Sequence, residues 1–504
     1  MMSRLKANIV ANFAGAGFVS TISLVVVPLY LGMLGAEAYG LIGFFLSFRS
    51  MAGMLDLGLS AVVSREVAAR VASGSGHTRL GSLVRTIEVI YWGMGLVAGG
   101  AMFAWAAFAS QDWLKLSELS SDTVMLSAYL FGITLMATWP VAFYRGLLRG
   151  LEQQVQYNFI LSGTALLRAV GSVALLFFVQ KSVLLFLLWQ LLVGVVEVLI
   201  MGLTAWYYVN RAGVAQDRRF DFGEIQQIWG FMSGVSMVTL LGVAVSQIDR
   251  VIISKLLPLE MLGYYTVAYS LSVSLGRLSG PIVTAVFPRL SAYFAKGDAV
   301  ALTNILRRSS SLVTLVVAPV GIGLAWFSYE VLLVWTQSVD AAVYGQSALA
   351  LLAIGYVFNA MAHLDSNLQL AAGRTRLLLM YGAVSSLLYV PAVYLAIRQW
   401  GLAGAAGCWL ALNMVSFVLL AILRTAYILK VPVSLNALFG NMHFVLISAL
   451  LFALARLLST FGNVGPMTTL AVAVCIGGGY LLWCLRRYQL AGFLQFPFSS
   501  RSDG

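Results

Sequence analysis

Two arginines interrupt otherwise apolar stretches of the chain and are suited to binding an anion. Arg49 lies near the middle of one stretch, and Arg277 lies past the middle of another. A guanidinium group is permanently charged, and its N–H donors match the oxygens of a phosphate. An arginine at the centre of a membrane span costs roughly 2.5–3.5 kcal/mol, so it generally faces a partner or a watery cavity. Both residues are predicted to line a cavity and flank an anionic group such as a phosphate; the alternatives are a structural ion pair or a reach toward the cytoplasmic face.

A second pair of charges, opposite in sign, lies in two neighbouring apolar stretches. Arg168 and Glu197 both fall near the centres of their stretches. The simplest interpretation is an ion pair that neutralises both groups within one half of the protein, since an unpaired charge in an apolar interior is costly. In the alternative interpretation, Glu197 binds a proton or a cation that is coupled to transport.

Four more polar residues are candidates for coupling or gating. Asp249 lies at the predicted outer end of a stretch, where it could close a gate or form a helix-end ion pair. His363 and Asp365 lie at cavity depth, and a histidine titrates near neutral pH, although a structural role is more common for a lone histidine. Asp56 is expected to bind Arg65 across a turn.

The elements that must position these residues are membrane-spanning helices. The chain has 504 residues, of which 60% are apolar and 10% are charged, whereas a soluble domain has about 25% charged residues. Stretches of roughly 20 apolar residues match the hydrocarbon thickness of a bilayer, and they lack the strict alternation of membrane β-strands. The sequence predicts an all-α polytopic membrane protein of about fourteen spans. They are 8–31, 38–60, 83–108, 123–145, 158–178, 183–207, 228–254, 262–286, 309–328, 346–370, 377–397, 402–424, 441–459 and 467–485.

The basic residues predict the orientation of these spans. Of the 31 Lys and Arg residues, 22 fall in every second connection or at the termini, 6 fall on the opposite side and 3 lie inside spans. Cytoplasmic loops carry such an excess, so both termini are predicted to be cytoplasmic. The net charge of +12 then faces anionic lipid head groups, and nucleic acid is not expected as a partner. The 22 basic residues on the predicted cytoplasmic side include Arg65, Arg79, Arg85, Arg145, Arg149, Arg218, Arg374, Arg424 and Lys430.

The chain also repeats itself at an offset of 223 residues. Leu34-x-x-Glu37-x-x-Gly40 recurs as Leu257-x-x-Glu260-x-x-Gly263. Each unit contains six spans, an even number, so the two copies have the same orientation and are related by an axis along the membrane normal. Transporters of this kind bind substrate between their halves. Chance similarity between apolar segments is the alternative explanation.

A series of short motifs follows the spans in a characteristic order. They are Pro28-Leu-Tyr-Leu-Gly-Met-Leu-Gly-Ala-Glu-Ala-Tyr-Gly40, Leu55-Asp-Leu-Gly-Leu-Ser60, Tyr144-Arg-Gly-Leu-Leu-Arg-Gly150, Gln247-Ile-Asp-Arg250 and Phe287-Pro-Arg-Leu290. In order and spacing, residues 5–425 resemble the polysaccharide-export branch of the multidrug/oligosaccharidyl-lipid/polysaccharide exporter superfamily, the Wzx-type O-antigen flippases.

The resemblance implies a flippase that moves undecaprenyl-diphosphate-linked oligosaccharide across the bacterial inner membrane by alternating access, for surface polysaccharide biosynthesis. The sugar head would pass between two six-helix lobes, and the polyprenyl tail would stay in the lipid. The predicted lobes are 1–222 and 223–425, followed by two additional helices in 426–490 and a cytoplasmic tail at 491–504. A polysaccharide polymerase and glycosyltransferases are conceivable partners, the latter through the basic loop 212–224.

Three other functions compete with this one. A drug or cation antiporter of the same superfamily would need acidic residues in the first span, where only Asn8 and Asn12 are polar. A flippase for the lipid-linked peptidoglycan precursor would need a basic residue there. An integral-membrane glycosyltransferase or polymerase would need a substantial outer loop with catalytic groups, and no nucleophile–base arrangement is evident. Cys408, Cys475 and Cys484 lack metal-ligand spacing, so neither an enzyme nor a cofactor or metal is expected.

Overall fold

A computed structural model describes the chain as helical. The described residues are 2–56, 58–73, 80–108, 113–211, 219–223, 242–243, 245–373, 375–429, 439–462 and 464–487. Within these ranges, an isolated bridge between Lys115 and Pro258 is the only β-type pairing. The expected all-α fold is confirmed.

Fifteen helices have their bounds within the described ranges. They are α1 Met2–Leu34, α2 Ala36–Ala52, α3 Leu59–Ser73, α4 Leu80–Phe108, α5 Ser121–Thr138, α6 Val141–Gly150, α7 Gln154–Phe178, α8 Val183–Arg211, α9 Leu259–Lys296, α10 Ala299–Trp326, α11 Ser328–Thr336, α12 Val339–Ala371, α13 Thr375–Leu423, α14 Met442–Phe461 and α15 Pro466–Arg487. A 3-10 turn, Gly53–Asp56, follows α2, and a π-helical turn, Arg424–Leu429, follows α13. Residues 245–256 are also helical.

Twelve stretches of the described chain are long and apolar enough to cross a membrane. Fourteen are predicted from the sequence, and two local features account for the difference. The predicted span 228–254 falls largely outside the described residues. The predicted spans 377–397 and 402–424 form one continuous stretch, Arg376–Leu429, of 54 residues.

The long stretch Arg376–Leu429 is interrupted at Gly401. A straight helix of this length would measure about 80 Å, more than twice the hydrocarbon thickness. Gly401 has φ +55° and ψ −132°, a backbone conformation outside the helical region that glycine adopts without steric penalty. The break therefore separates two segments, each of a length suited to one crossing.

The described helices cluster into two compact units. The first contains residues 1–266 and 382–390, and the second contains residues 267–381 and 391–504. Each unit has its own apolar cores. The lobe boundaries expected from the sequence stay predictions.

Within the first unit, α2 crosses the first turns of α9 at two glycines. A Cβ on Gly40 would lie 2.1 Å from the carbonyl oxygen of Leu259, and a Cβ on Gly263 would lie 2.1 Å from the carbonyl oxygen of Ala36. The offset of 223 residues relates Ala36 to Leu259 and Gly40 to Gly263. The contact is thus reciprocal between positions that the offset of 223 residues relates.

Glu37, at the start of α2, fixes the connection that precedes α5. Its carboxylate accepts hydrogen bonds from the backbone N–H groups of Ser117, Glu118 and Leu119, at 2.7, 2.6 and 2.9 Å. The side chain is buried, with 4% of its surface exposed. Three charge-assisted bonds stabilise a carboxylate in such a place, so the repeated Glu has a structural role in this copy.

Candidate functional site

Arg49 lies on α2, within the candidate span Ala36–Asp56. Its guanidinium makes no hydrogen bond and no ion pair with any other part of the chain that the structure describes. Three charged groups interact electrostatically with the Arg49 guanidinium, namely Arg168, Arg145 and Glu197. Of the two cations, Arg168 has the larger effect. All four residues belong to the first unit.

The expected ion pair between Arg168 and Glu197 is present. It joins α7 to α8, with 2.7 Å between Arg168 Nη2 and Glu197 Oε2. Arg168 Nη1 also donates to the backbone carbonyl and the side-chain oxygen of Gln190, at 3.1 and 3.2 Å. Arg168 is 20% exposed and Glu197 is 8% exposed. A coupling role for either residue stays a prediction.

Asp56 ends the 3-10 turn after α2. Its carboxylate accepts a hydrogen bond from Ser60 Oγ at 3.0 Å and another from the hydroxyl of Tyr91 on α4. Tyr91 is fully buried, so the aspartate joins the junction between α2 and α3 to the core of the first unit. This placement favours a structural role over gating.

Asp249 belongs to a buried polar cluster in the helical segment 245–256. The hydroxyl of Tyr265 donates to Asp249 Oδ2 at 2.6 Å. Arg250 lies beside it, with 3.8 Å between Arg250 Nε and Asp249 Oδ1, and Arg250 Nη2 donates to Gln247 Oε1 at 2.6 Å. Asp249 is only 2% exposed. The cluster contains the ion pair that the sequence suggests, and a gate at this place stays a prediction.

The second unit contains the other candidates. Arg277 is exposed on α9 and forms no hydrogen bond or ion pair with the described residues. On α12, His363 is exposed, whereas Asp365 is buried and accepts two hydrogen bonds from Arg424 Nη1, at 2.8 and 3.0 Å. Asn359 donates to Asn413 at 2.7 Å. Arg49 and Arg277 thus belong to different units, and their joint action stays a prediction.

The chain matches two protein-family profiles. Residues 5–294 match the profile of a family described as "Polysaccharide biosynthesis protein", which covers more than half of the chain. The chain belongs to this family. Residues 235–395 also match the MatE family, and both matches place the chain in the multidrug/oligosaccharidyl-lipid/polysaccharide exporter superfamily, as the motifs suggest.

Three proteins similar to this polysaccharide biosynthesis protein bear the names of transporters or flippases. A Shigella flexneri protein provisionally named an O-antigen transporter is 23% identical over 408 residues, covering 81% of this chain and 94% of the relative. An inward-closed structure of the lipid II flippase MurJ has a TM-score of 0.67 at 11% identity, covering 95% and 99% of the two chains. An inward-facing multidrug resistance MATE family transporter has a TM-score of 0.68 at 15% identity, covering 86% and 95%.

The two structural likenesses show the fold alone, because their identities are low. The family matches and the twelve candidate spans make the chain a multi-pass membrane protein of this exporter superfamily. No group of three or more His, Cys, Asp or Glu side chains suited to holding a metal ion occurs in the described ranges.

Two further charged residues of the first unit, Glu88 and Arg145, are not among the site candidates that the sequence suggests. Glu88, buried on α4, accepts hydrogen bonds from Tyr144 Oη at 2.5 Å, Trp206 Nε1 at 3.0 Å and Arg85 Nη1 at 2.7 Å. Its signal is a lone carboxylate in the predicted span 83–108. Arg145 resembles a loop cation by sequence, yet it lies inside α6 and acts on Arg49.

Proposed function

We propose that this protein moves an undecaprenyl-diphosphate-linked oligosaccharide from the cytoplasmic to the periplasmic leaflet of the bacterial inner membrane by alternating access. The observation that carries the proposal is Arg49, an arginine in a candidate span with no hydrogen bond or ion pair to the rest of the described chain. Such a charge requires an anion or water beside it. Family membership, and the name of the Shigella flexneri relative, point to a polysaccharide precursor as the source of that anion.

Arginine suits a lipid-linked diphosphate better than a neutral sugar or a drug cation. Its planar guanidinium donates paired hydrogen bonds to phosphate oxygens and stays charged at any physiological pH. Arg277 of the second unit is exposed and likewise has no hydrogen bond or ion pair in the described chain, so it is also suited to bind an anion. Both termini would be cytoplasmic, and the exported units would pass to a polysaccharide polymerase.

The first test uses a strain from which the gene is deleted. Lipid-linked oligosaccharide is extracted, and the leaflet it occupies is probed with a membrane-impermeant reagent that modifies sugars. Accumulation in the cytoplasmic leaflet, reversed by the intact gene, is the expected result and would also identify the sugar. Normal sidedness with unchanged surface polysaccharide would overturn the proposal in favour of small-molecule export.

The second test concerns the two arginines. Complementation with Arg49→Gln or Arg277→Gln is expected to restore transport at a rate reduced roughly tenfold or more, because each variant loses a charge-assisted interaction with the anion. Arg398→Gln is the matched control, since Arg398 is exposed and packs over the ring of Tyr394. Full restoration by both test variants, at equal expression, would remove the two arginines from the anion site.

A further inference from the structure

We infer that a polar stripe on α12, with a cluster of aromatic rings at one end, binds the sugar rings of the transported molecule. The stripe consists of Asn359, His363, Ser366 and Asn367. The inference rests on the proposed function for the source of the sugar. All residues of the stripe and of the cluster belong to the second unit.

The exposure pattern of α12 singles out this stripe. From 359 to 369, every residue that is not buried is polar: His363 is exposed, and the other three members of the stripe are half-buried. Most of the buried residues in the same stretch are apolar, among them Met361, Leu364 and Leu368. Spacings of three, four, seven and eight residues place the four polar side chains on one face of the helix.

The stripe reaches into the part of α12 that crosses the hydrocarbon. This helix forms the candidate span Val339–Ala371, and its first turns carry the exposed polar residues Asp340 and Ser347. The roughly twenty residues that follow and cross the hydrocarbon include Asn359 and His363. These two side chains therefore lie at a depth where a lipid-facing residue is apolar.

The α8 helix shows the pattern expected of a lipid-facing span, and it differs from that of α12. Its exposed side chains include Leu192, Leu199 and Leu203, with 50, 57 and 73% of their surface exposed. An amide or an imidazole facing hydrocarbon would lose its hydrogen bonds to water, at a cost of several kcal/mol. The stripe on α12 therefore faces water and not lipid, as a site for a polar ligand requires.

Aromatic rings from three helices meet one turn before the stripe. Tyr269 of α9 contacts Tyr356 of α12 edge to face, with the ring centroids 6.2 Å apart. Tyr356 in turn contacts Trp409 of α13, with the centroids 5.3 Å apart. Tyr269 is half-buried, whereas the other two rings are buried. Since Asn359 follows Tyr356 by about one turn of the helix, the cluster adjoins the stripe.

Trp409 approaches α12 closely because residue 355 is a glycine. A Cβ on Gly355 would lie 2.8 Å from Trp409 Cδ1 and 3.3 Å from Trp409 Nε1. The indole N–H is buried and has no hydrogen-bond partner in the described chain. Because an unpaired buried donor is costly, the cluster offers a hydrogen bond that a ligand oxygen would complete.

The amide of Asn359 is oriented by Asn413 of α13. Asn359 Nδ2 donates to Asn413 Oδ1 at 2.7 Å, and Asn413 Nδ2 donates to the backbone carbonyl of Trp409 at 2.8 Å. Asn413 is buried, so a rearrangement of this pair would leave polar groups unpaired. Within the described chain, Asn359 Oδ1 accepts no hydrogen bond. It is therefore an acceptor that is fixed next to the aromatic cluster.

These groups match the chemistry of a sugar. A sugar ring has C–H faces that pack on aromatic rings, and its hydroxyl groups pair with asparagine, serine and histidine, which offer both donors and acceptors. The stripe contains no carboxylate, and Asp365 beside it is buried and bound to Arg424, so a drug cation finds no charged partner here. Arg277 lies about 12 Å beyond Tyr269 along α9, so a ligand with adjacent phosphate and sugar groups would span the two.

The test measures ligand binding to the purified full-length protein in detergent by native mass spectrometry. The probes are undecaprenyl diphosphate, the undecaprenyl-diphosphate-linked oligosaccharide extracted from the native strain, and the free oligosaccharide released from it by mild acid. The wild type is expected to bind the sugar-bearing lipid more tightly than undecaprenyl diphosphate. His363→Leu is expected to raise the Kd of both sugar-bearing probes about fivefold or more, because a hydrogen bond to the sugar is lost. Its Kd for undecaprenyl diphosphate should stay unchanged.

The His363→Leu variant should fold normally, because the side chain is exposed and forms no hydrogen bond within the described chain. His363→Asn should recover part of the binding, since asparagine again donates and accepts hydrogen bonds. Tyr269→Leu should weaken the same two probes, because it removes the half-buried ring. His443→Leu is the matched control, the same change at an exposed histidine of the second unit whose Nδ1 bonds to the carbonyl of Gly440 at 2.8 Å. Its Kd values should equal those of the wild type.

The outcomes separate this inference from the proposed function. Equal binding of the two lipids by the wild type, or unchanged Kd values in His363→Leu and Tyr269→Leu, would overturn the sugar site and leave the flippase proposal intact. An equal loss for both lipids in His363→Leu would also overturn it, because the stripe would then not act on the sugar. Binding of the free oligosaccharide that depends on His363, without binding of either lipid, would support the sugar site and overturn its lipid-linked occupant. A wild-type protein that binds none of the probes would overturn both.

Discussion

The crossing of α2 and α9 predicts a large effect of one added methyl group. In Gly40→Ala, the new Cβ would lie 2.1 Å from the backbone oxygen of Leu259, more than about 1 Å closer than an ordinary van der Waals contact. A backbone carbonyl cannot rotate away as a side chain can, so the helices must separate. Overpacking of this kind costs typically 1–3 kcal/mol, and the higher helix propensity of alanine returns about 1 kcal/mol. The net expectation is a loss of about 1 kcal/mol, with about 2 kcal/mol as the upper end.

The assay is thermal unfolding of the purified protein, followed by tryptophan fluorescence, with Gly17→Ala as the control. Gly17 lies inside α1 with no atom within 4 Å of an added Cβ, so this variant should be as stable as the wild type or slightly more stable. Gly263→Ala should resemble Gly40→Ala, because the contact is reciprocal. The double variant should lose less than the sum, since one separation of the helices accommodates both methyl groups. A Gly40→Ala midpoint equal to that of Gly17→Ala would refute the close crossing.

Other predictions concern buried carboxylates. Arg168→Gln should lower the free energy of unfolding by about 3–5 kcal/mol, because it leaves Glu197 without its cation. The double variant Arg168→Met with Glu197→Leu should recover most of this loss. A double variant no more stable than the single one would contradict the pairing argument. Glu37→Gln should accelerate amide hydrogen exchange at 117–119, measured by mass spectrometry, because the charge-assisted bonds to these N–H groups weaken. Unchanged protection at 117–119, with exchange elsewhere also unchanged, would show that Glu37 does not hold this connection.

The sequence predicts the fold class and most of the membrane-spanning stretches, because both depend on local properties of the chain. Length and apolarity of a stretch decide whether it can cross a bilayer, and neither requires knowledge of neighbours. The same holds for the arginines inside spans, whose position alone marks them as unusual. The repeat is also visible in the sequence, since its spacing is a property of the chain.

Which side chains pair with one another across the helices could not be predicted from the sequence. Asp365 pairs with Arg424, 59 residues away, although Arg424 resembles a loop cation that follows a span. Asp56 accepts from Tyr91, 35 residues on, in a contact that no local pattern predicts. Hydrogen bonds of this kind depend on which helix faces meet, and packing decides that only once all the helices are in place.

The sequence by itself determined that this chain is a many-span helical transporter of the polysaccharide biosynthesis family. Hydropathy, span length and motif order are properties of the linear chain and do not depend on tertiary contacts. Only the tertiary structure decided which charges act together. Arg145 lies where a basic loop would begin, and nothing in its local sequence separates it from Arg149. The glycine contact with α3 and the hydrogen bond from Tyr144 to Glu88 hold α6 in place, and both join residues that lie far apart in the sequence.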